Sequence, residues 1–571
     1  MGESIILKQG GGTVRRAVLV CAVLFALVCA FFAVPRDNHG VPVPPDFPAI
    51  RRRVLLIPLD SRPPCGRFVQ DAARIAGVEV VLPPAELLDE YFRPGDAAAL
   101  QAWTMNRLAD CDAAILSVDQ LLHGGLLASR QAKKTPDDET AFLNFLRELR
   151  AAHPSVPLYA FSILPRMMPP DGLCDWEEQK RLMKYSRLVG KISRETPKKD
   201  EDLAALETLR GSLSPEILAR YEALFASYAD FGQRLIDLAE NGILDLLVIG
   251  QDDSEPDSIP NLVLQRFSEL LAAKGIGENR VFLTQGADEI ALSILAAAEA
   301  ERENFSPRVA LSYNAPSTPA RVLPFMGATL ENTAREKIRF TRGMVAPSPE
   351  TADFTLYLSA GGAKEKDARH AAATELNTLI DKGHAVALVD LSEHFLLDET
   401  LLPVLIENKT PIHALAAYAG WNTASNSVGT AVAHAVLLSI AQRRAQTEED
   451  ALRVAIAHIS FLDGRFLEDC YYLKDVVDHL NWSLEKCGAQ NGRGLEYNYN
   501  YTLGSMLLDK AIENRRARFV RTAAYQAPFL FKTQNATLPL RATDITATAR
   551  FPWPRTFEIN LRTKDLRLRR D

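Results

Sequence analysis

VLLIPLDSRPP (54–64) decides the fold. From Val54 to Ile57 it is apolar at every position, without the alternation of a half-buried strand, so it predicts a parallel strand covered on both faces. It then turns polar at once. Asp60 and Arg62 flank Ser61, and Pro63 and Pro64 stiffen the way out. The same style recurs at VEVVLP (78–83), AAILSV (113–118), PLYAFSIL (157–164), LDLLVIG (244–250), RVFLTQG (280–286) and RVALSY (308–313). Helical patterns lie between these runs, at 96–110, at 140–153 and across the long 177–241 stretch, which reads as a helical excursion over the sheet. Strands alternating with helices predict an α/β fold with parallel β/α repeats.

The alternation continues at FTLYLSA (354–360), HAVALVDL (384–391) and IHALAAYAG (412–420). A helical region follows over roughly 423–520, and 545–562 alternates like a pair of strands. The expected organisation is an N-terminal α/β domain at 51–315, a smaller α/β lobe at 316–440, and a helical region with a β tail at 441–571. Two arrangements fit: a barrel followed by a lobe, or two doubly wound lobes with a cleft between them.

In either arrangement the loops leaving the carboxyl ends of the strands converge on one side, where such folds bind ligands and do chemistry. Here those loops are unusually polar. Besides PLDSRPP they are SVDQLLHGGLLASR (117–130), SILPRMMPP (162–170), GQDDSEP (250–256), QGADE (285–289) and YAGWNTASNSVGTA (418–431). Asp252 and Asp253 are adjacent where the strand ends, so both carboxylates can reach one cleft. Close carboxylates repel, one pKa rises, and that group can act as a general acid near neutral pH. Cleavage of glycosidic bonds needs such a pair; a solvated Asx turn is the structural alternative.

Asp60, Arg62, Asp119, Arg130 and Arg166 are candidates for polar substrate groups, with an internal ion pair as the alternative for Arg62. His123 precedes Gly124 and Gly125, which permit close backbone approach or a tight turn. Asp288 and Glu289 are candidate ligand groups, although capping of the next helix would explain them equally well. Trp421 suits stacking on a sugar face or packing in the core, while Asn422 and Asn426 suit hydrogen bonds to hydroxyls. The ten histidines show no metal-ligand spacing, so no resident metal or other cofactor is expected. A carboxylate cluster of Asp60, Asp119 and Asp252 around Mg²⁺ or Mn²⁺ is the metal-dependent alternative. No G-x-S-x-G elbow or P-loop occurs.

At 571 residues and 47% apolar, the chain can bury large cores. Its net charge of −7 and lack of a long basic run in the body argue against nucleic acid as a partner. Residues 1–36 read as a signal peptide or membrane anchor, with Lys8, Arg15 and Arg16 ahead of the apolar run Ala17–Val34. Basic residues on that side place the body outside the cytoplasm, tethered by the Pro-rich segment 37–50. The five cysteines beyond the leader form no framework; they read as small buried residues, with one Cys470–Cys487 bridge as the alternative.

Taken together, PLDSRP, the GGL-x-x-SR stretch, GQDD, GADE and GWNTASN resemble an uncharacterised bacterial family catalogued as a domain of unknown function, over roughly residues 53–530. His123 stands where that pattern leads one to expect Tyr, which weakens a catalytic role for it. The resemblance implies relatedness and a bacterial origin but no reaction. The residues themselves imply an exported or membrane-tethered hydrolase of glycosidic bonds in amino sugars or cell-wall glycans. A non-catalytic two-lobed binder of glycans or solutes is the alternative.

Overall fold

The computed structural model describes residues 47–571 apart from 132–133, 171, 362–365 and 489–492. The expected leader, and all but the end of the Pro-rich segment, lie outside the described residues. The first sheet contains β1 (Arg52–Ile57), β2 (Val78–Val81), β3 (Ala113–Ser117), β4 (Leu158–Leu164), β5 (Leu246–Gln251) and β6 (Val281–Gln285). All its pairings are parallel, in the order β2-β1-β3-β4-β5-β6. The second contains β7 (Arg308–Tyr313), β8 (Met344–Val345), β9 (Phe354–Gly361), β10 (Val386–Ser392) and β11 (Ala417–Ala419), in the order β8-β7-β9-β10-β11. Counted from their own first strands, both sheets start 2-1-3-4-5. Both are open, so the chain adopts the doubly wound arrangement and not the barrel. The expected boundary at 315 falls too late: β7 pairs with β8 and β9, which places 308–313 in the second sheet.

The apolar run of β1 behaves as its composition requires. Val54 and Leu56 enter one hydrophobic cluster, while Leu55 and Ile57 enter another on the opposite face. The second cluster is covered by helices Pro136–Ala152 and Pro215–Glu240. The latter belongs to the helical excursion, which runs through Trp176–Arg194 and Asp200–Gly211 before it. The first cluster continues into the second lobe and the C-terminal region without a break.

At the centre of that shared core lies helix Ala424–Arg444. Among the described residues it alone is long and apolar enough to cross a membrane, but its apolar stretch is 94% buried inside the protein, which makes it a core helix. It packs along helix Ile290–Arg302, which leads from the first sheet to the second. The approach is close enough to require glycine: a Cβ on Gly429 would stand 2.4 Å from Glu289 Cγ. Helices Glu448–Arg465, Val477–Lys486 and Tyr501–Phe519, with a π-helical stretch Phe466–Val476, complete this region. The tail is an antiparallel sheet of β12 (Phe529–Lys532), β13 (Thr537–Arg550) and β14 (Asn560–Arg570).

A buried ion pair fastens the two lobes. Lys337, 1% exposed, donates to Glu289 Oε1 at 2.5 Å and to Thr284 Oγ1 at 2.6 Å, and also to the Gln285 carbonyl. Removing one partner of such a pair strands the other charge away from water. Lys337→Met is expected to lower unfolding free energy by about 3–5 kcal/mol, measured by urea denaturation. Adding Glu289→Gln should recover much of that loss. No recovery in the double variant would show that Lys337 acts by some means other than charge pairing.

Candidate functional site

The loops leaving β1 and β6 meet through Arg62 and Asp288, although β3, β4 and β5 lie between those strands in the sheet. Asp60 and Arg62, at the end of β1, are both buried. The Arg62 Nε donates to both Asp60 oxygens at 3.0 Å, and its Nη2 donates to Asp60 Oδ2 and to Asp288 Oδ1, each at 2.6 Å. The other Asp288 oxygen accepts from Asn422 at 3.3 Å and Asn426 at 3.2 Å, both at the start of the central helix. The tail adds Trp553, whose ring centroid lies 5.2 Å from the Arg62 guanidinium and whose indole N–H donates to Ser61 Oγ at 2.8 Å. The Ser61 amide in turn donates to Asp89 Oδ1 at 2.8 Å.

Charge is finely divided here. Burial pulls the Arg62 pKa down, but Asp288 and Asp60 more than reverse this and hold it well above its ordinary value. Burial, helped by Asp60 and Asp252, pushes Asp288 up against the pull of Arg62. Burial and Asp60 likewise drive Asp89 well above its ordinary value, and its Oδ2 has no hydrogen-bond partner. A Cβ on Gly125 would come within 2.9 Å of the Asp89 carboxyl carbon, and its φ of +124° also favours glycine. This explains the second glycine of the GG pair.

The carboxylate pair closes the end of β5. The Asp252 amide donates to the Leu164 carbonyl at 3.3 Å, and Met167 donates to the Asp253 carbonyl at 2.9 Å, so β4's exit holds the turn. Ser254 donates to the Phe325 carbonyl at 3.2 Å, which pins the turn from the second lobe. Arg130 forms an ion pair with Asp252. Burial works to raise the Asp252 pKa, but the charges of Arg130 and Arg166 prevail and keep it below the ordinary value. Asp253 is pushed to about 7 by burial and then by the Asp252 charge. Two neighbouring carboxyls thus differ in protonation at neutral pH.

Asp119 begins a π-helical turn, Asp119–His123, at the end of β3. Its carboxylate accepts from the Ile163 amide at 3.0 Å and from the Tyr228 hydroxyl at 3.4 Å, and burial raises its pKa to about 7. His123 lies parallel to the Tyr228 ring, with centroids 6.3 Å apart. Burial, with Lys134 nearby, lowers its pKa to about 4, so it is neutral at pH 7. Both rings and Arg130 line a cavity of about 550 Å³ beside the excursion helix.

Several expectations need correction. Glu289 does not face the cleft: its carboxylate is buried against Lys337. Neither Asp288 nor Glu289 caps helix Ile290–Arg302 through its side chain. Trp421 is 4% exposed and meets Phe68 edge-on at 6.3 Å, so it packs in the core and offers no sugar platform. Asp60, Asp119 and Asp252 do not form a cation cage, since Arg62, the Ile163 amide with Tyr228, and Arg130 each occupy one of them. Among the described residues one acidic and thiol group, Asp60, Cys65 and Asp288, is compact enough to hold a cation, but Arg62 already bridges its carboxylates. Cys470 is buried and Cys487 exposed, and both are free thiols. Sequence reasoning missed Asp89, Tyr228 and Trp553. The first sits in an ordinary-looking LLDEYF segment, and the others lie far along the chain from the loops they complete.

These features define a doubly wound α/β protein whose polar site lies at the carboxyl ends of its first sheet. The chain belongs to the family described as a protein of unknown function (DUF4127), whose model matches residues 54–562. No curated protein and no solved structure matches it.

The raised Asp253 has a thermodynamic signature. Between its ordinary value of 3.8 and about 7, folded Asp253 keeps a proton that the unfolded chain has lost. Its contribution therefore drains stability as pH rises through that window and is constant above it. Asp253→Asn removes this loss. Relative to wild type, the variant should be more stable at pH 8 than at pH 4.5, measured by urea denaturation at both. A wild-type-to-variant difference that ignores pH would remove Asp253 as the raised group.

Proposed function

We propose that the chain is a hydrolase of glycosidic bonds, acting on amino sugars or cell-wall glycans outside the cytoplasm, where the 1–36 segment would export or anchor it. The observation behind this reading is the Asp252–Asp253 pair, one carboxyl held ionised by arginines and its neighbour raised to about 7. Asp253 would donate its proton to the leaving glycosidic oxygen. In a substrate-assisted course the carbonyl oxygen of the substrate's 2-acetamido group attacks the anomeric carbon as that bond breaks. Asp252, fixed by Arg130 and by the Asp253 amide at 2.9 Å, would orient the acetamido N–H. Water then opens the cyclic intermediate, with Asp253 taking a proton back.

Ligand capture without chemistry is the second reading, supported by the paired doubly wound lobes. Against it stands the continuous core between them, which leaves little freedom for a hinge.

The two are separated by assaying the full chain on aryl glycosides, including N-acetylhexosaminides, with and without EDTA. The hydrolase reading expects turnover that survives EDTA and declines as pH rises past about 7, where Asp253 loses its proton. Asp253→Asn should lower kcat by about 10²–10⁴-fold while substrate still binds. Turnover that EDTA abolishes would overturn the carboxylate mechanism. Silence across the panel, with sugars raising Tm equally in wild type and Asp253→Asn, would favour capture.

A further inference from the structure

The cavity that Arg130 joins to the Asp252 carboxylate has, in Lys134 and Arg220, charged groups that the proposed cleavage does not use. It measures about 550 Å³, and Arg130, Lys134 and Arg220 bring three cations to its lining. Glu139 also lines it, but accepts from Arg234 at 2.9 Å and so is already paired. Lys134 feels the Asp138 carboxylate, which is held by Thr135 at its helix start, and Arg220 forms no ion pair among the described residues. Arg130 reaches the cavity and the Asp252 carboxylate at once; its residue is 8% exposed, and its Nε has no hydrogen-bond partner. His123 and Tyr228 add two nearly parallel rings at 14°, with the histidine neutral at pH 7. Arg130 is the buried cation of the three and its planar fork suits a carboxylate or phosphate, while Lys134 and Arg220 are exposed and add charge at the mouth.

We propose that this cavity is an anion subsite, seating a carboxylate or phosphate substituent of the substrate while the adjoining Asp252–Asp253 pair works on the bond next to it. The substrate class thereby narrows to acidic glycans. This rests on the hydrolase reading for its link to cleavage, but anion binding by the cavity does not.

The test is calorimetric titration of the full chain with D-glucuronate, inorganic phosphate and, as the neutral control, glucose. The proposal expects saturable binding of glucuronate or phosphate and none of glucose at the same concentration. Binding of glucuronate alone would assign the site to sugar carboxylates, and of phosphate alone to phosphorylated sugars. Lys134→Ala/Arg220→Ala, which alters side chains outside the core, should weaken the anion at least 10-fold. Asp253→Asn, which removes a carboxyl acting on Arg130, should not weaken it. Equal binding of glucose and the anions, binding of none of them, or undiminished anion affinity in the double variant would overturn the subsite. Anion binding with no hydrolysis of any glycoside would sink the hydrolase reading and leave the subsite standing. Hydrolysis of neutral glycosides without anion binding would do the reverse.

Discussion

One guanidinium holds the site together. Arg62 stands between Asp60, from its own loop, and Asp288, from the far edge of the same sheet, with both carboxylates within 2.6 Å of its Nη2. Taking three charges out of water is costly, and the arrangement survives because hydrogen bonds from Arg62, Asn422 and Asn426 occupy their polar atoms. The planar fork of Arg matters here, since a lysine could not span Asp60 bidentately and still reach Asp288. Because Asn422 and Asn426 come from the second lobe and Trp553 from the tail, one side chain fixes how all three parts of the chain meet.

The same logic of shared charge extends outwards. Asp252 raises Asp288, Asp288 raises Asp253, and Arg130 and Arg166 hold Asp252 down. No carboxyl of the group titrates independently of its neighbours. A buried cluster with more acids than its arginines can neutralise must keep some of them protonated. Asp253 is the one that combines a raised pKa with partial access to solvent. That is why it, and not the deeper Asp60 or Asp288, suits proton donation.

The sheets were legible in the sequence because parallel strands covered on both faces are largely apolar. β3, β4 and β5 carry that mark most fully, while the edge strand β2 carries Glu79 and alternates. The loop residues followed, since the end of a buried strand is also where polar residues reappear. What escaped was contact at long range. QGADE before an apolar helix looks like a cap whether or not a lysine waits nearby, and Lys337 sits in a helix whose other residues are mostly polar. Trp421 lies in a turn rich in small polar residues, yet Phe68 covers it. The boundary at β7 was misplaced because a strand's own sequence does not say which sheet it joins.

The contact between Trp553 and Ser61 joins positions 492 residues apart. Closing so long a loop carries an entropy cost that grows only logarithmically with length, but it must be met before the contact returns anything. Neither lobe can complete this site by folding alone, since the first sheet supplies Arg62, the second supplies Asn426 and the last hairpin supplies the indole. Competence of the site therefore reports on the folding of the whole chain. A molecule that has folded both sheets but not the tail would lack the indole over Arg62 and leave part of the shared core uncovered.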